Sequence, residues 1–193
     1  MIGHRITHRT ADGVRVPGTW RHAFICNGGS YFLTGLSFAP AVKIYHSYPQ
    51  RALEDPGRQA LRNDYPAPIT VDDATYPSVA HADWARSVTD PEARTAVMAA
   101  ESGAKARTVA AAAPRREGWE RVRTAVMARL LLAKYEQPPD LAAILLATGD
   151  ATVLYDDVCS GFWGENGGRG RNWTGRLLEL VRSPLLAGQT LVD

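Results

Sequence analysis

Between Glu117 and Tyr135 runs one long amphipathic stretch, in which Trp119, Val122, Val126, Leu130 and Ala133 recur at roughly helical spacing. A helix that long with one apolar stripe must bury that stripe against other elements. The chain supplies the covering pieces. Ser78 can cap a helix on which His81, Trp84 and Ala85 share a face. Asp90-Pro91-Glu92 opens another, with an N-cap, a proline at the first helical position and an acid at the positive end of the dipole; the pattern carries it to about Gly103. Lys105–Ala113 is an alanine-rich helix stopped by Pro114, Pro139-Asp140 opens the next and Gly149 ends it. Trp173–Leu186 closes the chain as a helix bent or ended at Pro184, with Leu177, Leu178, Leu180 and Val181 inward and Arg176 and Arg182 solvated.

Before residue 76 the pattern is different. Thr19–Cys26 alternates and stops at Asn27-Gly28-Gly29, and Tyr31–Ser37 and Val42–Tyr45 read as further short strands of an antiparallel meander. Pro49–Pro68 reads as a loop or short helical excursion, Ile69–Val71 as a strand, and Val153–Tyr155 as another. The fold class is therefore α+β, mainly helical with a small antiparallel sheet. Residues 1–55 form a β-rich N-terminal extension packed on a main domain of residues 56–193.

The chain has 193 residues, 45% of them apolar, and a formal net charge of +2. That is room for one core, and too little positive charge for an indiscriminate nucleic-acid face. Cys26 and Cys159 are too few for a disulfide framework or a cysteine-rich zinc site. The start of the chain has no apolar run that would make a secretory signal, and runs such as Leu141–Ala147 fall well short of the roughly 20 residues of a membrane span. The expectation is a cytoplasmic protein without a membrane partner.

The segment Gly161–Arg176 is the most unusual local composition. It fits neither a dinucleotide fingerprint nor a Walker loop, since Gly175 is followed by Arg176-Leu177. What remains is a glycine-rich loop entering a helix N-terminus, where bare amides, Arg169 and Arg171 could hold a phosphate, or simply a surface connection with two solvated arginines. Trp163 within it would suit stacking on a nucleobase. The five histidines show no metal-ligand spacing, so neither a metal nor a cofactor is expected. Ser78, His81 and Asp83 sit on one turn without a nucleophile elbow and do not make a triad.

Taken in order, Leu61–Val71, Tyr76–Ala85, Glu117–Tyr155 and Gly161–Arg182 resemble the NADAR domain family, the YbiA-like N-glycosidases. The family pattern runs Leu-Ser-Asn-Phe, then Tyr-Pro-Ser/Thr-Val-Glu-His, then a Trp-containing helix with Val-Met and Lys-Phe. Leu-Leu-x-Thr-Gly-Asp/Asn, Phe-Trp-Gly, Gly-x-Asn-x-x-Gly and Leu-Leu complete it. The resemblance implies the family's mainly helical α+β fold. It also implies cleavage of an N-glycosidic bond between a ribose phosphate and an amine or base. The substrate would be a small-molecule ribose phosphate, such as a phosphoribosylamino-pyrimidine of riboflavin synthesis, or an ADP-ribose conjugate. Nucleic acid would enter only as an ADP-ribosylated substrate.

Matching positions carry over Asn63, Ser78, His81, Lys134, Asp150, Trp163, Gly164 and Asn172 as ligand-binding candidates beside Arg169 and Arg171. The chain departs from the pattern elsewhere. The family's glutamate before the histidine is Ala80, its lysine on the same helix falls near Ser87, and its aspartate before Phe-Trp-Gly is Ser160. Cleavage through an oxocarbenium-like state calls for a carboxylate. Asp83, one turn from Ala80, and Glu165, beside Trp163, are the catalytic candidates. The alternative is a non-catalytic module that binds an ADP-ribose-like or NAD-like ligand. Asp150 could also be only a turn-former, and Lys134 could only close the carbonyls of its own helix.

Overall fold

The computed structural model describes residues 25–26, 29–30, 40–45, 56–137 and 139–190. The chain divides into two units, Met1–Phe38 and Ala39–Asp193. In the first, β1 (Ile25–Cys26) and β2 (Gly29–Ser30) pair antiparallel, with Ile25 opposite Ser30 and Cys26 opposite Gly29. Of the strands expected there, residues 19–24 of the first and the whole of 31–37 lie outside the described residues.

The second unit opens with β3 (Ala41–Tyr45), a strand the sequence places in the extension. Its partner is β6 (Thr152–Asp156), and the pairing is parallel, with Ala41 opposite Thr152 and Tyr45 opposite Asp156. A parallel pair needs a long crossover, and here the crossover is most of the domain. It begins with α1 (Pro56–Gln59) and an antiparallel hairpin of β4 (Ile69–Val71) and β5 (Ala74–Tyr76). The hairpin turns on Asp72 and Asp73, both at positive φ (53° and 61°), as a two-residue turn of this hand requires. Arg86 and Arg129 both grip the Asp72 carboxylate and hold its pKa below the usual value, the hydrogen bond from Arg86 contributing most. Gln137 covers the free edge of β4, its amide bonding Thr70 N at 2.9 Å and Thr70 O at 2.8 Å.

Then come α2 (Val79–Ser87), capped by Ser78, α3 (Pro91–Met98), capped by Asp90, α4 (Gly103–Ala111), capped by Ser102, α5 (Trp119–Glu136) and α6 (Pro139–Leu146). Gly103 begins α4 rather than ending α3, because the Ser102 hydroxyl takes the Lys105 amide and restarts the helix. After β6, α7 spans Trp173–Thr190 with Pro184 inside it, so of the two expectations for that proline, a bend or an end, the helix does not end there.

The central helix α5 packs on α2, α6, α7 and β4. Its buried face is Trp119, Met127, Leu130, Leu131, Lys134 and Tyr135, so the stripe is turned about its axis relative to the one expected, and Val122 is 46% exposed. On α7, Leu177, Leu178 and Val181 are buried, but Leu180 is 64% exposed and Arg182 only 7%. Arg182 is inside because it spans to Thr148 Oγ1 at 2.7 Å and Ala151 O at 2.9 Å, tying α7 to the turn before β6. Among the described residues no helix is long and apolar enough to cross a membrane.

Candidate functional site

The rotated stripe of α5 places Trp119, Arg123, Met127, Leu130 and Lys134 along one line, so two cations are carried into an apolar face. Each marks one end of the site.

At the first end, Arg123 lies over the Phe162 ring, 3.5 Å from the centroid, and 5.9 Å from that of Trp163. Phe162 meets Trp163 edge-on at 4.8 Å and stacks on Trp173 at 6.0 Å. Glu120 holds the other side of the guanidinium at 2.5 Å, and Arg123 Nε is buried without a hydrogen-bond acceptor among the described residues. Asp83, on α2, lies within the electrostatic reach of Arg123. It is 7% exposed, and its Oδ1 is buried with no donor among the described residues. Burial pushes its carboxyl from the ordinary 3.8 up to about 7; Arg115 and Arg123 pull it down and Glu120 pushes it up. A buried carboxyl poised near neutrality in the field of two guanidinium groups can donate or take a proton at physiological pH.

At the other end, Asn63 is set by its backbone. Its N–H donates to Tyr155 Oη at 3.2 Å and its carbonyl accepts from Ala80 N at 2.8 Å. Its Nδ2 rests on Met127 Sδ at 3.7 Å, while Oδ1 is buried and unpaired among the described residues. Lys134 is 1% exposed and reaches across to Arg62 O at 2.6 Å rather than to carbonyls of its own helix. Burial lowers its pKa from 10.5 to about 7, with Asp64 opposing and Arg62 adding to the fall. Tyr135 and Tyr155, also buried, have hydroxyls shifted upward by desolvation.

The glycine-rich loop is fastened to itself and to β6. Glu165 N donates to Tyr155 O, Gly170 N to Glu165 O, Arg171 N to Gly161 O and Asn172 N to Gly164 O, all between 2.7 and 2.9 Å. Its glycines serve close approach: a β-carbon on Gly164 would stand 2.5 Å from Asn166 Oδ1 and 2.7 Å from Asp157 O. The amides expected to cradle phosphate already hold an anion, the Glu165 carboxylate, which accepts from Gly167 N at 3.1 Å and Gly168 N at 2.6 Å. Glu165 also faces Lys43 at 3.9 Å, which pairs with Asp156 at 3.5 Å.

The remaining candidates separate by what they touch. Ser78 and His81 bond each other at 2.8 Å within the cap of α2, and His81 Nε2 meets Ala100 O at 3.1 Å, joining α2 to the segment after α3, so both imidazole nitrogens are engaged. Asn172 sits at a positive φ of 52° and pairs its amide with Tyr155 N and Val153 O, covering the edge of β6. Gly164 is buried beneath the Trp163 turn. Asp150 is exposed on the turn after α6. Arg169 is exposed; Arg171 is exposed as well, its guanidinium 5.9 Å from the Phe162 centroid. The structure thus groups Asp83, Trp163 and Arg171 at one end and Asn63 and Lys134 at the other. Arg123 is the member that sequence reading missed, and its signal is an arginine on the inner line of α5, four residues from both Trp119 and Met127. Among the described residues no group of His, Cys, Asp or Glu could hold a metal.

Comparison with known proteins bears on the same residues. Residues 54–186 match the model of the NADAR domain. The chain is 35% identical over 121 residues to the N-glycosidase YbiA of Escherichia coli (strain K12), covering 61% of this chain and 76% of that protein. It is 36% identical over 128 residues to a riboflavin biosynthesis protein of Vibrio vulnificus (strain YJ016), covering 65% of this chain but only 35% of the relative. The NMR structure of Escherichia coli YbiA superimposes with a TM-score of 0.66 at 28% identity, covering 78% of this chain and 89% of that one.

Proposed function

We propose, from the premise that the chain belongs to the NADAR domain family, that it is an N-glycosidase releasing an amine or base from a ribose phosphate or ADP-ribose. The observation that carries this reading is Asp83: a buried carboxyl, its Oδ1 without a donor among the described residues, its pKa raised to about 7, within the field of Arg123, which itself lies over Phe162. Protonated, Asp83 gives its proton to the leaving nitrogen. The electron pair of the C1′–N bond goes to that nitrogen, water oxygen bonds C1′, and the proton that water sheds restores the site through solvent. Arg123 and Arg171 hold the phosphate, and Trp163 with Phe162 flanks the base or ribose. Asn63 Oδ1 accepts from a sugar hydroxyl. Glu165, with its carboxylate turned into the loop amides, is a weaker candidate for the chemistry than Asp83.

The test is incubation of the purified protein with ribosylamine phosphates and, separately, with guanine-ADP-ribosylated DNA, reading released ribose 5-phosphate or ADP-ribose by chromatography. Release that drops in Asp83→Asn supports the reading. Ala80 favours a second one, a module that binds such ligands without cleaving them. Saturable binding of ADP-ribose with no release over long incubation selects it.

A further inference from the structure

The segment that leads into α5 is tied to the end of α2. Val88 and Arg115 form an isolated antiparallel bridge, Arg116 N donates to Ser87 O at 2.7 Å and Thr89 N to Pro114 O at 3.2 Å. This fastening fixes the backbone of Arg115, whose guanidinium lies over the Trp84 ring, 5.5 Å from the centroid. On α5 itself, Arg123 lies over Phe162. The two guanidinium groups meet on one carboxylate. Glu120 Oε1 stands 3.4 Å from Arg115 Nη1, and Glu120 Oε2 stands 2.5 Å from Arg123 Nη1. Arg115, Arg123 and Glu120 all act on the buried Asp83 carboxyl, which ties this trio to the candidate site.

The members of the trio are held differently. Each arginine has an aromatic face beneath it, Trp84 for Arg115 and Phe162 for Arg123. Glu120 reaches them from the first turn of α5 with its side chain 57% exposed. Ion pairs that open to solvent hold weakly, because water and salt compete for both charges. Glu120 can therefore turn away while the rings keep both guanidinium groups in place. What it leaves is two planar donor forks converging on the place of one anion, with Arg123 Nε still lacking an acceptor among the described residues. Charge favours phosphate there. One carboxylate leaves the two cations with a net positive charge, whereas a phosphate monoester carries about −1.5 to −2 at pH 7 and bonds guanidinium forks two points at a time. The start of α5 adds the same preference, since Gly118, at a φ of 72°, begins the helix with no capping side chain on its positive end.

We propose that Arg115 and Arg123 form a phosphate-binding fork and that Glu120 is its displaceable occupant, turning to solvent when the phosphate of a ribose phosphate or of ADP-ribose takes its place. The inference deepens the N-glycosidase reading and rests on it for the class of ligand. Glu120 thereby sets selectivity: a sugar without phosphate has nothing with which to displace it, so the fork stays closed to it.

Isothermal titration with ribose 5-phosphate, ADP-ribose and phosphate-free ribose tests this on the natural chain, Glu120→Gln, Glu120→Ala and Arg115→Met, with thermal melting of each and the release assay run in parallel. Both Glu120 variants bind the two phosphate-bearing ligands about 3- to 10-fold more tightly and leave ribose unchanged. Arg115→Met binds them about 10- to 100-fold more weakly, again with ribose unchanged. Tightening confined to ribose 5-phosphate assigns the fork to a terminal phosphate, and tightening confined to ADP-ribose assigns it to a diphosphate. Glu120 variants that melt as the natural chain does and bind no more tightly overturn the fork; if release then persists with an unchanged KM, the glycosidase reading stands without it. Binding that responds as expected while no release is seen keeps the fork and overturns cleavage. Absence of both binding and release, in the natural chain and in every variant, overturns the two together.

Discussion

The guanidinium of Arg123 lies 3.5 Å from the centre of the Phe162 ring, with Asp83 within its electrostatic reach. The one side chain thus both packs against the aromatic wall and favours the charged form of the buried carboxyl. Arg123→Met keeps the bulk and removes the charge. The Asp83 midpoint then rises above about 7, because a force that lowers it is gone while burial stays. If protonated Asp83 is the acid, the fall of kcat/KM with rising pH shifts to higher pH in the variant. The lost cation–π contact costs about 1–2 kcal/mol of stability. A pH–rate profile and a denaturant titration check both; an unmoved alkaline limb removes Arg123 from the site.

Asp83 itself trades stability for poise. Its folded pKa is raised from 3.8 to about 7, so the native state holds a proton that the unfolded state releases. Stability is complete below pH 4 and declines as pH rises to about 7, by at most about 4 kcal/mol. Asp83→Asn lacks that decline. We expect the variant to melt above the natural protein at pH 8, to show no such advantage at pH 4, and to lose about 10²- to 10⁴-fold in turnover. Calorimetry across pH checks the first half of this expectation and the release assay the second. A variant that melts lower at pH 8 would mean that Asp83 is compensated inside the fold.

Much of this was legible in the chain. Ser78, Asp90 and Pro139 mark helix starts because capping and proline rules act within one turn of sequence. The ordered motifs pointed to the family, which the NADAR match bears out. What failed was anything decided across the fold. Val122 and Leu180 look like core by periodicity but face solvent, whereas Arg182 is drawn in by the carbonyl of Ala151. The parallel partner of β3 is β6, more than a hundred residues on, and no local pattern names a partner so far away. The amide of Asn172 bridges Tyr155 N and Val153 O of β6, a structural duty that its place in a glycine-rich loop does not announce. Arg123 reads as one more surface arginine until the helix is turned to its true face.

Lys134 gives the opposite slope to Asp83. Burial lowers its pKa from 10.5 to about 7, so between those values the unfolded chain holds the proton and the native one does not. Stability from this group therefore rises as pH climbs from 7 towards 10.5. Lys134→Met abolishes that rise and leaves Arg62 O with the Tyr65 amide as its remaining donor, at about 0.5–1.5 kcal/mol measured at pH 10. Urea titrations at pH 7, 8, 9 and 10 read the slope directly. A natural protein whose stability is flat across this range would place the Lys134 ammonium in contact with water.

Gly175 tests whether the loop is built for closeness rather than for motion. It sits in the first turn of α7, where a β-carbon would collide with Val153 O and stand 2.6 Å from both Oδ1 and Nδ2 of Asn172. Those are the atoms that fasten Asn172 to β6. Gly175→Ala must push α7 away from β6 or break the amide bridge, and overpacking of this kind costs about 1–3 kcal/mol. Gly188, with open space where its β-carbon would be, is the control: Gly188→Ala on the same helix gains about 0.5–1 kcal/mol by restricting the unfolded chain. The two substitutions are chemically identical and lie on one helix, so a melting difference of opposite sign isolates the contact with β6. Equal melting temperatures would mean that the β6–α7 junction yields by several tenths of an ångström without loss, and the site hung from it would then be soft.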